Sequence, residues 1–254
     1  MKIPKFFIYS FLSVLFCHIF SGCEIDNYDA PDCTIQGVVF DHMNQPFQVN
    51  HGAEIIRMRE ISWAKDDETY IANRTLKVQQ DGTYLNTKIF KGTYRLLPRN
   101  GAFFPYDDVH GDGDDAGELV EINGTATQNF TVMPYLTVEW VNQPTVDNDG
   151  HLTCTVRFIR NQKSGYAMPD LRRGRLQISR SVNAGATDDT LTAAIDIENS
   201  QEGDEIVFRT LVPLRWTGIN YWIRVSVEVQ SNAEANYQGL PASNYTTIVQ
   251  IFVP

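Results

Sequence analysis

From residue 33 onward, apolar and polar residues alternate over short runs. Gly, Pro, Asn and Asp separate the runs, and no 3.6-residue period is sustained anywhere. A period of two is the signature of strands with a dry face and a wet face, so the pattern predicts an all-β chain. In the first half the expected strands are 34–40, 53–62, 74–79, 83–87, 93–97, 118–122 and 128–133. In the second half they are 136–141, 151–160, 175–181, 190–197, 205–211, 221–230 and 245–253. The clearest is 221–230. There Tyr221, Ile223, Val225, Val227 and Val229 form the core face, and Trp222, Arg224, Ser226, Glu228 and Gln230 the face expected in solvent. The run 53–62 mixes Arg57, Arg59 and Glu60 with Ile55, Ile56 and Met58, and reads as a strand with neither face fully dry.

Turn chemistry divides these runs. Asp81-Gly82, Asn123-Gly124 and Asp147-Asn148-Asp149-Gly150 each predict a hairpin, because Asn, Asp and Gly tolerate the positive φ of tight reversals. Pro134-Tyr135 falls between the two sets of runs. Sets of about seven short strands predict two consecutive β-sandwiches, 33–133 and 134–254. Each is expected to fold on its own core.

The first 32 residues break the pattern. Lys2 and Lys5 precede an apolar run, 6–20, that ends in Ser21-Gly22-Cys23. A basic start, a short apolar stretch and small residues at the cut predict a secretory signal over 1–22. Ser21-Gly22-Cys23 resembles the end of a bacterial lipobox, although Phe20 stands where Leu is usual. That resemblance implies a lipid on Cys23, with 23–32 as an acidic tether. The formal net charge is −10, and losing Lys2 and Lys5 with the leader makes the remainder more acidic still. Such a surface repels phosphate backbones and anionic lipid, so nucleic acid is excluded and membrane contact is left to the lipid anchor. Cys33 and Cys154 remain downstream; Cys154 lies in an apolar register and reads as a buried thiol rather than half of a disulfide.

Asp81-Gly82-Thr83-Tyr84 and Phe90-Lys91-Gly92-Thr93-Tyr94-Arg95-Leu96, with the opening run Thr34-Ile35-Gln36-Gly37-Val38-Val39, resemble a carboxypeptidase regulatory-like, transthyretin-like sandwich. The second half, with Leu211-x-Pro213 ahead of Tyr221-x-x-x-Val225, is similar to a fibronectin type III-like sandwich, in which Tyr221 would bond its hydroxyl to nearby backbone. The whole, with Cys23-Glu24-Ile25-Asp26-Asn27-Tyr28-Asp29 at its head and Val132-x-Pro134-Tyr135-Leu136 at its join, resembles a family of Bacteroidetes outer-membrane lipoproteins. These accompany starch-utilisation-type (Sus-like) transporters and their substrate-binding lipoproteins. The resemblance implies an outer-membrane, cell-surface location and those two partners. It brings no catalytic residues.

No nucleophile elbow, phosphate loop or zinc-ligand spacing is present, and His42, His51, His110 and His151 stand singly. Asp112, Asp114, Asp115 and Glu118 place hard oxygen donors on a glycine-rich loop suited to calcium, without the full spacing of an EF-hand. Aromatic rings outside core registers are candidates for stacking on sugar, and Trp222, Trp216, Trp63 and Tyr106 are the ones singled out. The sequence therefore leads us to expect a non-catalytic surface lipoprotein. It would bind neutral oligosaccharide for an uptake system or, alternatively, serve as a structural or adhesive subunit that binds other proteins.

Overall fold

The computed structural model describes residues 30–63, 72–106, 116–183, 185 and 191–254. The leader, Cys23 and the 107–115 stretch lie outside them. Asp32–Pro254 forms one compact unit, and every regular element among its described residues is a strand. In chain order these are β1 Cys33–Phe40, β2 Ala53–Glu60, β3 Arg74–Val78, β4 Thr83–Ile89, β5 Gly92–Pro98, β6 Glu118–Ile122, β7 Thr125–Thr127 and β8 Phe130–Thr131. The second half supplies β9 Leu136–Val146, β10 Leu152–Arg160, β11 Asp170–Ser179, β12 Ala194–Asp196, β13 Ile206–Arg209, β14 Ile219–Gln230, β15 Ala242–Tyr245 and β16 Val249–Val253.

The first eight strands make a single sheet in the order β6-β5-β2-β3-β4-β1-β7, with β8 also on β1. Asp81-Gly82 closes the β3–β4 hairpin as expected, with Gly82 at φ +80°. Asn123-Gly124 does not make one. It carries the chain from β6, at one edge of the order, to β7, which pairs in parallel with β1 at the other. A two-residue link between opposite edges means that the sheet curls around its core. Strand β2 also departs from expectation: Ile55 through Arg59 are all buried. Arg57 satisfies itself at depth by donating from Nη2 to the Ala116 carbonyl at 2.6 Å. The strand is buried on both sides, and Arg57 reaches the segment that leads into β6.

In the second half a β13-β10-β9 sheet and a five-stranded β12-β11-β14-β15 sheet, with β16 on β14, share one apolar cluster. Tyr221, Ile223, Val225, Val227 and Val229 all lie in it, alongside Leu152, Cys154, Val156 and Phe158 from β10. Gly174 on β11 is required here, since a Cβ would stand 2.6 Å from Cζ of Phe208 on β13. The β9–β10 hairpin turns at Asp147–Gly150, as its sequence predicts.

The halves meet along a seam that two cores share. Phe103 packs in the first cluster and Phe104 in the second. Backbone bonds link Phe104 N to the Met133 carbonyl at 2.9 Å and Tyr135 N to the Ala102 carbonyl at 3.1 Å. Asn244 donates to the Ala102 carbonyl and accepts from Leu136 N. The polar face of β14 is not solvated in its middle. Arg224, 0% exposed, donates to the Val49 carbonyl and Asn50 Oδ1, both at 2.7 Å, and to Gln177 Oε1 at 2.6 Å. Its guanidinium lies 4.0 Å from the Tyr245 ring centroid. Burial lowers its pKa to about 10, which leaves it charged at neutral pH.

Candidate functional site

Where the seam reaches the surface it opens as a cleft of about 340 Å³. The first half contributes the end of β5 and the segment after it, including Arg99, Phe103 and Tyr106; the second contributes Tyr135, Asn236, Tyr237 and Gln238. Tyr135 is held there because its backbone is paired with Ala102 and Asn161. Its ring packs edge-on against Phe104 at 5.0 Å and lies nearly parallel to Tyr237 at 6.1 Å. Tyr237 is fixed by donating its hydroxyl to the Ala167 carbonyl at 2.9 Å, and by the Tyr166 ring at 5.9 Å. Lys163 lies over Tyr166 and donates to the Pro105 carbonyl at 2.6 Å.

The electrostatics of the cleft are those of neutral phenols and amides with one cation beside them. Burial, reinforced by Tyr237, pushes the Tyr135 phenol far above the ordinary tyrosine range. Burial also raises Tyr237, against the lowering effect of its bond to Ala167. Both stay protonated at physiological pH. Arg99 is the one charged side chain among the described lining residues, and it is hydrogen-bonded to Gln238 Oε1. No carboxylate or histidine lines the cleft among those residues. The Tyr135 hydroxyl is buried and has no hydrogen-bond partner. Ring faces, amides and a phenol can hold a ligand; they do not make a nucleophile and its base.

The residues singled out from the sequence are dispersed. Tyr106 lines the cleft, and its hydroxyl stands 3.4 Å from Oε1 of Glu118 at the start of β6. Asp112, Asp114 and Asp115, proposed with Glu118 for calcium, lie outside the described residues. Trp63 is 50% exposed and meets the Phe90 ring at 5.4 Å. Trp216, 46% exposed, is stacked by Arg215 and Arg180 at 4.9 and 5.6 Å. Trp222 is half-buried beside Ser179, Arg180 and Asn220 in a shallow depression built wholly from the second half. Tyr221 does bond backbone, donating to the Trp216 carbonyl at 3.0 Å, as its corner position implies. Sequence reasoning missed Tyr135, read there as punctuation after Pro134, and Tyr237, which sits between strands where no register exists.

Residues 33–133 match the DUF3823 N-terminal domain. That family is described as a protein of unknown function, and its match ends at the seam. Likeness over the second half comes from solved structures. A DUF3823 family protein from Bacteroides uniformis is 25% identical, with a TM-score of 0.72, over 88% of this chain and all of that one. A second Bacteroides uniformis structure, described as "a putative carbohydrate binding protein", is 18% identical with a TM-score of 0.63, over 88% of this chain and all of its own. A DUF3823 family protein from Parabacteroides merdae has a TM-score of 0.60 at 16% identity, over 88% of this chain and all of that one. At these identities the last two show the shared fold alone. No curated protein matches the chain.

Proposed function

We propose that this chain is a lipid-anchored surface protein of the DUF3823 kind. It binds neutral glycan without catalysis, as an accessory component of a Sus-like polysaccharide uptake system. The observation that carries the reading is the seam cleft, where tyrosine rings and amides converge around a single, already bonded cation. A flat ring covers the apolar face of a pyranose while amides fix its hydroxyls. The Bacteroides uniformis structure described in carbohydrate-binding terms supports the same reading. The chain from residue 24 should be retarded in native gels containing at least one of starch, xylan, mannan, arabinan or galactan; unretarded migration in all five overturns it. For the anchor, palmitate should label the wild type and not Cys23→Ala.

A structural or adhesive role is favoured by a different observation. Val207, Leu211, Val212 and Trp216 stand exposed within one stretch of chain. Co-purification with an outer-membrane transporter, without retardation by any glycan, would select that reading.

A further inference from the structure

We infer that the seam cleft is the sugar site itself, and that it takes one neutral sugar residue at the end of a chain, gripped by both halves at once. The inference rests on the glycan-binding reading above and gives it a place, a ligand class and a size. At about 340 Å³ the cleft lies near the small end of the range of about 300–1,000 Å³ for ligand pockets. That is room for one ring or two, not for a polymer laid lengthwise.

The lining matches a neutral sugar group by group. Tyr237 and Tyr106 line the cleft from opposite sides of the seam. Asn236 and Gln238 supply amides that can both donate and accept, as sugar hydroxyls do. Asn236 is exposed and plays no part in the hydrogen bonding of the fold. The guanidinium of Arg99 donates to Gln238 and keeps its charge, but no acidic partner is fixed beside it among the described residues, and the formal net charge of −10 works against an anionic sugar. Tyr135 lines the cleft, and its hydroxyl is buried without a hydrogen-bond partner, an arrangement that folding alone does not favour.

Because the ligand touches both halves, it binds only the native seam and so stabilises the folded chain as a whole. The test is the melting temperature of the chain from residue 24. The probes are the methyl glycosides of glucose, galactose, mannose, xylose and arabinose, with glucuronate and galacturonate as acidic counterparts. At least one neutral glycoside should raise the melting temperature while the uronates do not. Asn236→Ala should abolish that shift with the melting temperature of the free protein unchanged. Tyr135→Phe should weaken the same glycoside about five-fold, the loss of one hydrogen bond, while the free protein melts no lower. A tyrosine that served only packing would not separate the two readouts in this way.

Full shifts in both variants, or shifts from uronates alone, overturn the inference. If no methyl glycoside acts and a polysaccharide still retards the protein in gels, the glycan reading survives and the site does not. If neither assay responds, both fall.

Discussion

Asp147 holds the β9–β10 turn with its carboxylate. Oδ1 accepts from the His151 and Asp149 amides at 2.9 and 3.0 Å, and Oδ2 from Arg209 at 2.6 Å. The His151 amide bond is the main cause of its lowered pKa; desolvation opposes it, and Arg209 and the Asp149 amide add to the lowering. A depressed carboxylate binds its proton later in the native state than in the unfolded chain. Its contribution is therefore complete above about pH 4 and disappears as pH falls through the native value. Asp147→Asn should lower the urea midpoint at pH 7, and the gap from wild type should narrow by pH 3. Cys154 makes a second test. Burial raises its thiol pKa to about 12, and Cys33 is buried as well. In the chain from residue 24, which lacks Cys23, neither thiol should react with a disulfide reagent until denaturant is added. The buried state of Cys154 was legible from its register, as was the Tyr221 face of β14. The opposite face was not. Arg224 occupies a polar register that a lone strand would show to water, and only contact with residues far away in sequence reveals that it is covered.

At the scale of elements, turn chemistry was legible where the turn joins neighbouring strands, as at Asp81-Gly82 and Asp147–Gly150. It misled at Asn123-Gly124, because a local signal specifies a bend in the chain and not which strand is met afterwards. The same limit hides the origin of Gly37. In β1 its ideal Cβ would stand 1.8 Å from the Gln128 carbonyl oxygen, which also receives the Tyr84 hydroxyl. That close approach lets the chain around β7 and β8 lie against β1. Gly37→Ala should therefore cost about 3 kcal/mol in urea denaturation, far more than alanine costs at an open strand position.

For the whole molecule the decisive residue is Phe104. It belongs to the first half by sequence and is 1% exposed in the core of the second. Phe104→Ala should destabilise the protein by about 3–5 kcal/mol. Calorimetry of the intact chain should show one transition, because neither half can unfold without opening the other's packing. A 134–254 fragment should fold less stably than the same residues in the full chain, having lost both Ala102 and Phe104. The proposed division at 33–133 and 134–254 thus describes two apolar clusters joined by a shared seam. The cleft was illegible in the sequence for the same reason: its rings come from segments that only the seam brings together.

One property of β1 concerns mechanics. The chain enters the folded unit there, and the strand is hydrogen-bonded to β4 on one side and to β7 and β8 on the other. A pull on the N-terminal end directed along β1 loads those ladders sideways, so that many bonds must slip together; a pull across them would open one bond at a time. Under the proposed anchor at Cys23, tension from a polymer or from flow would arrive first at the strand best placed to bear it. Stretching the chain from that end should meet the resistance of β1 before anything in the second half gives way.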